Sequence, residues 1–153
     1  LEEAVKLYKI TGPNGEAIYG GNGKWPLPKG KKPGAWTKKQ TPVLCMSGWH
    51  LIPASQLNQW WRDGAVLWEA EGRGRSDASL YKTAFESARL VRRVGTLDAA
   101  AYAEYKNVTA PVWAKYVKVK ATALAEYEKV TAPVWAEYEK ACEAAIEKVW
   151  RKK

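Results

Sequence analysis

Four consecutive phrases of eleven residues fill positions 103 to 146, beginning at Ala103, Ala114, Ala125 and Ala136. The stretch "AEYEKVTAPVWAEYEKACEAAI" (125–146) nearly doubles one phrase, and "AEYKNVTAPVWAKYVKVKATAL" (103–124) is a looser copy. The third residue of each phrase is tyrosine: Tyr105, Tyr116, Tyr127 and Tyr138. Val108, Val112 and Trp113 follow in the first phrase, and Val130, Val134 and Trp135 in the third. Apolar steps of three, four and four lay these residues along one stripe of a helix. Eleven residues in three turns is about 3.67 per turn, slightly above the helical value, so the stripe drifts in the right-handed sense. A chain with this pattern must form helix, and the helix needs something to cover its stripe.

Pro111 and Pro133 stand twenty-two residues apart, about six turns, and share the face opposite the stripe. The expected tail is one long proline-kinked helix from about Asp98 to Trp150, on the order of 80 Å long. In the alternative, Thr109 and Thr131 are N-caps with proline in the next first turn, giving a helical hairpin or small bundle. No Gly, Asn or Asp adjoins either proline to make a tight reversal. The stripe residues Tyr105, Val108, Val112, Trp113, Tyr116, Tyr127, Val130, Val134, Trp135 and Tyr138 are expected to drive coiled-coil-like homo-oligomerisation. Packing of the stripe on the rest of its own chain is the competing expectation.

All twelve glycines lie at or before Gly95. This places a boundary there and divides the chain into a head, 1–96, and a helical repeat tail, 97–153. The net charge of +9 belongs mostly to the head, where fifteen Lys and Arg of residues 1–97 face eight Asp and Glu. The head reads as α+β. "VKLYKI" (5–10), the turn "TGPNGE" and "AIYG" have the pattern of a hairpin. "PASQLNQWWRDG" (53–64) has helical spacing, and "AVLWEAEG" (65–72) and "SARLVRRVG" (87–95) alternate as strands. The Gly/Pro-rich segment between the hairpin and Thr41 is too irregular for a regular element.

Lys24, Lys31, Lys32, Lys38 and Lys39 lie in that segment with Trp25 and Trp36, and no acid falls between Lys24 and Lys39. Ammonium groups neutralise phosphates and aromatic faces stack on bases, so these seven residues form the candidate ligand-binding set. The partner would be nucleic acid, a nucleotide or an acidic protein; the plainer alternative is a solvated loop. "CMSGWH" separates Cys45 and His50 by five, which on a regular strand points them to opposite faces unless Gly48 inserts a bulge. A buried Cys45 and a structural His50 are expected. One histidine and two cysteines do not make a zinc site, and no metal or cofactor is expected. Glu69 and Glu71 share one face of a strand and, with His50, are weak candidates for acid–base work.

Two cysteines are too few for a disulfide framework, and a Cys45–Cys142 bridge stays open. No apolar run is long enough to span a membrane, and "LEEAVKLYKI" lacks both the order of a secretory signal and an initiator Met. A trimmed or processed start and a cytoplasmic, host-interior setting are expected.

"TPVLCMSGWHLIPASQLNQWW", "GAVLWEAEGRG" and the later basic strand resemble an uncharacterised bacteriophage or prophage domain with a Cys-x-x-Gly-x-His pattern. The alanine-rich, proline-containing phrases look like helical repeats of phage-encoded proteins. The resemblance implies a viral setting and carries no established activity. The order Gly-x-His, short helix, Val/Glu strand is distantly similar to the ADP-ribosyltransferase fold, without a second His or an Arg-Ser-Glu series. The expected function is a non-enzymatic binding and assembly protein. The alternatives are a nucleotide-processing enzyme using His50 with Glu69 or Glu71, and a structural virion or scaffold component.

Overall fold

The computed structural model describes residues 5–20 and 23–150. The chain divides into two compact units, Leu1–Ala103 and Glu104–Lys153.

Four antiparallel strands build the first unit: β1 (Leu7–Thr11), β2 (Trp49–Pro53), β3 (Val66–Ala78) and β4 (Thr83–Thr96). They close in the order β1-β2-β4-β3. The framework is the β3–β4 hairpin, in register from Val66↔Thr96 to Ala78↔Thr83. Three register shifts along it, at Leu67/Trp68, Glu69/Ala70 and Arg73/Ser76, add the coil that so few strands need to close. Gly72 is required there: a Cβ would fall 2.1 Å from the Phe85 ring.

Alternation along the strands buries both faces. Trp25, Leu51, Val66, Trp68, Ala70, Ala88 and Leu90 form one core, where the Trp68 indole donates to Thr11 Oγ1 over 2.8 Å. On the other face Ile10, Ile52 and Leu67 pack with Ala65 and Leu97 under Leu57, Trp60 and Trp61. Burial of each large aromatic or aliphatic side chain stabilises by roughly 1.5–3 kcal/mol.

Two sequence expectations change here, and one strand is added to them. "AIYG" does not return beside β1, whose two edges are taken by β2 and β3. "PASQLNQWWRDG" yields a single 3-10 turn, Ala54–Gln56, because Leu57, Trp60 and Trp61 are spent sealing the outer face of the sheet. The strand "WHLIP", with Leu51 and Ile52 buried on opposite faces, went unread. The irregular segment is firmly tied. Gly34, Thr37 and Gln40 donate their N–H groups to the carbonyls of Leu90, Ala88 and Glu86, along the stretch of β4 beyond its pairing with β2. Gly21 and Asn22, near its start, lie outside the described residues.

The second unit is the helix α1 (Ala99–Trp150), whose first residues belong to the first unit. Asp98 caps it, accepting the N–H of Ala101 at Oδ1 over 2.8 Å. The helix runs unbroken through Pro111 and Pro133, so the hairpin alternative does not form. Thr109 and Thr131, two residues before each proline, donate their hydroxyls to the carbonyls of Tyr105 and Tyr127. No helix among the described residues is long and apolar enough to cross a membrane.

Candidate ligand-binding cleft

A cavity of about 510 Å³ opens between β1, β2 and the loops that flank them. Its polar centre is built by three residues distant in sequence. Lys9 comes from β1, His50 from β2, and Lys82 from the turn before β4. Trp25, Trp49 and Trp60 supply the walls, and among the described residues no Asp or Glu lines it.

Each part is held by specific contacts. Lys9 Nζ donates to the His50 carbonyl over 3.2 Å and stands 5.0 Å from the centre of the Trp25 ring. Lys82 Nζ lies 5.6 Å from the Trp60 ring centre. Trp25 and Trp49 meet edge to face at 5.0 Å, as do Tyr19 and Trp60 at 5.1 Å. The Trp49 indole donates to the Lys38 carbonyl over 2.7 Å, and Tyr19 Oη donates to the Trp60 carbonyl.

The electrostatics follow from this geometry. Burial, with the Lys82 charge added, lowers Lys9 to about 8. Burial also lowers His50, helped by the charges of Lys82 and Lys9 and opposed by the Gly48 backbone and Asp77. The centre is therefore a neutral imidazole beside two ammonium groups, one of which gives up its proton easily.

Cys45 and His50 do meet, though not as a nucleophile pair. The residue is exposed, contrary to the expected burial, and sits at φ 63°, a left-handed conformation unusual for a side-chain-bearing residue. A turn closed by the Val43↔Ser47 bridge brings the Cys45 backbone N–H onto His50 Nε2 at 3.0 Å. That ring nitrogen is thereby occupied as an acceptor. Both cysteines are free.

Glu69 and Glu71 are not brought to His50. Each faces an arginine directly across the β3–β4 ladder: Arg89 Nε donates to Glu71, and Arg92 Nη2 lies 2.7 Å from Glu69 Oε2, an ion pair without hydrogen-bond alignment. Among the described residues no group of three or more His, Cys, Asp or Glu could hold a metal ion.

The seven loop candidates separate. Trp25 is 2% exposed and belongs to the core while forming one wall of the cleft. Trp36 is half-buried, with the guanidinium groups of Arg73 and Arg89 at 4.0 and 4.6 Å from its ring centre. Lys24, Lys31, Lys32, Lys38 and Lys39 are exposed. Sequence reading missed Lys9 and Lys82. A lysine flanked by tyrosine and isoleucine inside a strand was the available signal.

Tyr105 is half-buried, and from Val108 to Tyr138 the stripe is exposed, with Trp113 and Trp135 at 64% and 65%. Tyr127, Val130, Val134, Trp135 and Tyr138 line an apolar groove on it.

No family model, no curated protein and no solved structure matches the chain.

Proposed function

We propose that the protein is a binding and assembly module of phage or prophage type, whose head takes an anionic partner carrying flat rings and whose tail self-associates. The ligand class is a nucleotide, free or within a single strand. One observation carries this reading: two lysines converge in a cleft walled by three tryptophans, and among the described residues no carboxylate lines it. Such a site neutralises a phosphate and stacks a base, and its volume suits a small molecule. The exposed lysines at 24, 31, 32, 38 and 39 would continue the path for neighbouring phosphates. Pro111 and Pro133, away from the stripe, would bend the rod toward its apolar side.

The test is a titration of the full chain with adenosine monophosphate and with a short oligothymidylate, followed by tryptophan fluorescence at two salt concentrations. Both ligands should quench. Lys82→Gln should weaken both, by about tenfold for one lost charge-assisted contact. Lys31→Gln with Lys32→Gln should weaken the oligonucleotide alone and flatten its salt dependence. Quenching by polyglutamate as strong as by the oligonucleotide would mark an acidic protein as the partner. No response to either nucleotide probe would remove the cleft as a nucleotide site.

A further inference from the structure

The two halves of α1 carry opposite charge. Residues 99–124 hold four lysines and one glutamate, and residues 125–150 hold six glutamates and three lysines. The placement around the helix matters more than the count. With the eleven-residue period, Glu126 and Glu137 flank the stripe on one side, and Glu128 and Glu139 on the other. In the first half Lys115 shares the first of these flanks with Glu104, and Lys106 takes the second. Lys120 falls within the stripe, and its Nζ lies 5.9 Å from the Tyr116 ring centre.

The apolar residues repeat with the same period. Trp113 packs on Tyr116 with ring centres 5.4 Å apart, and Trp135 on Tyr138 at 5.6 Å. Leu124 lies midway between the two tryptophans. Reversing the helix about Leu124 exchanges Trp113 for Trp135 and exchanges the basic half for the acidic half.

We infer that the tail pairs with a second copy of this chain, antiparallel, with Leu124 at the two-fold axis. This rests on the self-associating tail proposed above. In that arrangement Trp113 of each copy faces Trp135 of the other on the same side of the seam. Lys120 comes level with Glu128, and Lys106 and Lys115 lie within about one turn of Glu139 and Glu137. A parallel pair would instead set four flanking glutamates against four more. Flank charges of this kind select orientation and partner, and the apolar seam supplies affinity. The basic residues Arg151, Lys152 and Lys153 follow the seam and lie outside the described residues.

The test uses the full chain with Cys45→Ala, so that Cys142 is the remaining thiol, and a short bismaleimide. Cys142 lies on the seam side of the helix, level with Lys106 of the opposed copy. Adding Lys106→Cys should give a covalent dimer that Cys142 alone does not, since two Cys142 residues would stand about 54 Å apart. Lys120→Glu should shift the equilibrium in sedimentation toward monomer, and adding Glu128→Lys should shift it back. Efficient coupling through Cys142 alone would overturn the antiparallel direction while leaving assembly intact. A monomer at every concentration would overturn the assembly reading as well.

Discussion

The backbone N–H of Cys45 donates to Nε2 of His50 over 3.0 Å, across a turn that holds Cys45 in a left-handed conformation. Protonation of that nitrogen would put two donors face to face. The imidazole of the cleft is thus fixed in its neutral form by geometry, and burial and the two lysines act in the same direction.

His50 should make the fold sensitive to acid. Its folded pKa lies below the ordinary histidine value, so in the window between the two the unfolded chain binds the additional proton. Stability contributed by neutral His50 is full above about pH 6.5 and is lost as pH falls through the folded value. Denaturant midpoints measured from pH 7.5 to 5 should decline in the native chain. In His50→Gln this component of the decline should vanish, with a loss of about 1 kcal/mol at pH 7.5 for the turn contact. Equal slopes in the two proteins would count against the assignment.

Lys9 should show the alkaline counterpart. Its folded value of about 8 lies below the ordinary 10.5, so between these values the native state has released a proton that the unfolded chain keeps. Stability should therefore rise with pH across that window. Lys9→Met removes the buried charge and should raise the unfolding free energy at pH 7, by on the order of 1–3 kcal/mol, while abolishing the rise. The same variant should lose anion binding, a gain in stability paired with a loss of function. A destabilised Lys9→Met would mean that the ammonium contributes more through its contacts than burial removes.

Gly48 should tolerate no side chain. Its φ is +88°, and a Cβ would fall 2.9 Å from Pro42 Cα and 3.0 Å from the Phe85 carbonyl oxygen, both backbone atoms. Gly48→Ala should cost about 2–3 kcal/mol and loosen the turn that delivers Cys45 to His50. Hydrogen exchange at the Cys45 amide should rise more than at the amides of β3. Uniform acceleration would indicate global destabilisation without the local role.

The proposed site and the fold were legible to different degrees, for one reason. The helix from Ala99 was legible because its period repeats within eleven residues and its cap, Asp98, is local. The strands 65–72 and 87–95 were legible through alternation, although both run longer than that pattern marked. The stretch 53–64 misled because Leu57, Trp60 and Trp61 at helical spacing serve a sheet face that lies elsewhere in the chain. Glu69 and Glu71 looked like a pair waiting for a substrate, and the ladder gives each its own arginine.

By itself the sequence determined a glycine-rich basic head, an apolar stripe on a helix, and the cap that starts that helix, since each depends on neighbours within about three turns of chain. Tertiary structure alone decided that β1 lies between β2 and β3, and that Lys9, His50 and Lys82 meet among Trp25, Trp49 and Trp60. Barrel closure sets those distances, and no local pattern encodes which strand edges will join.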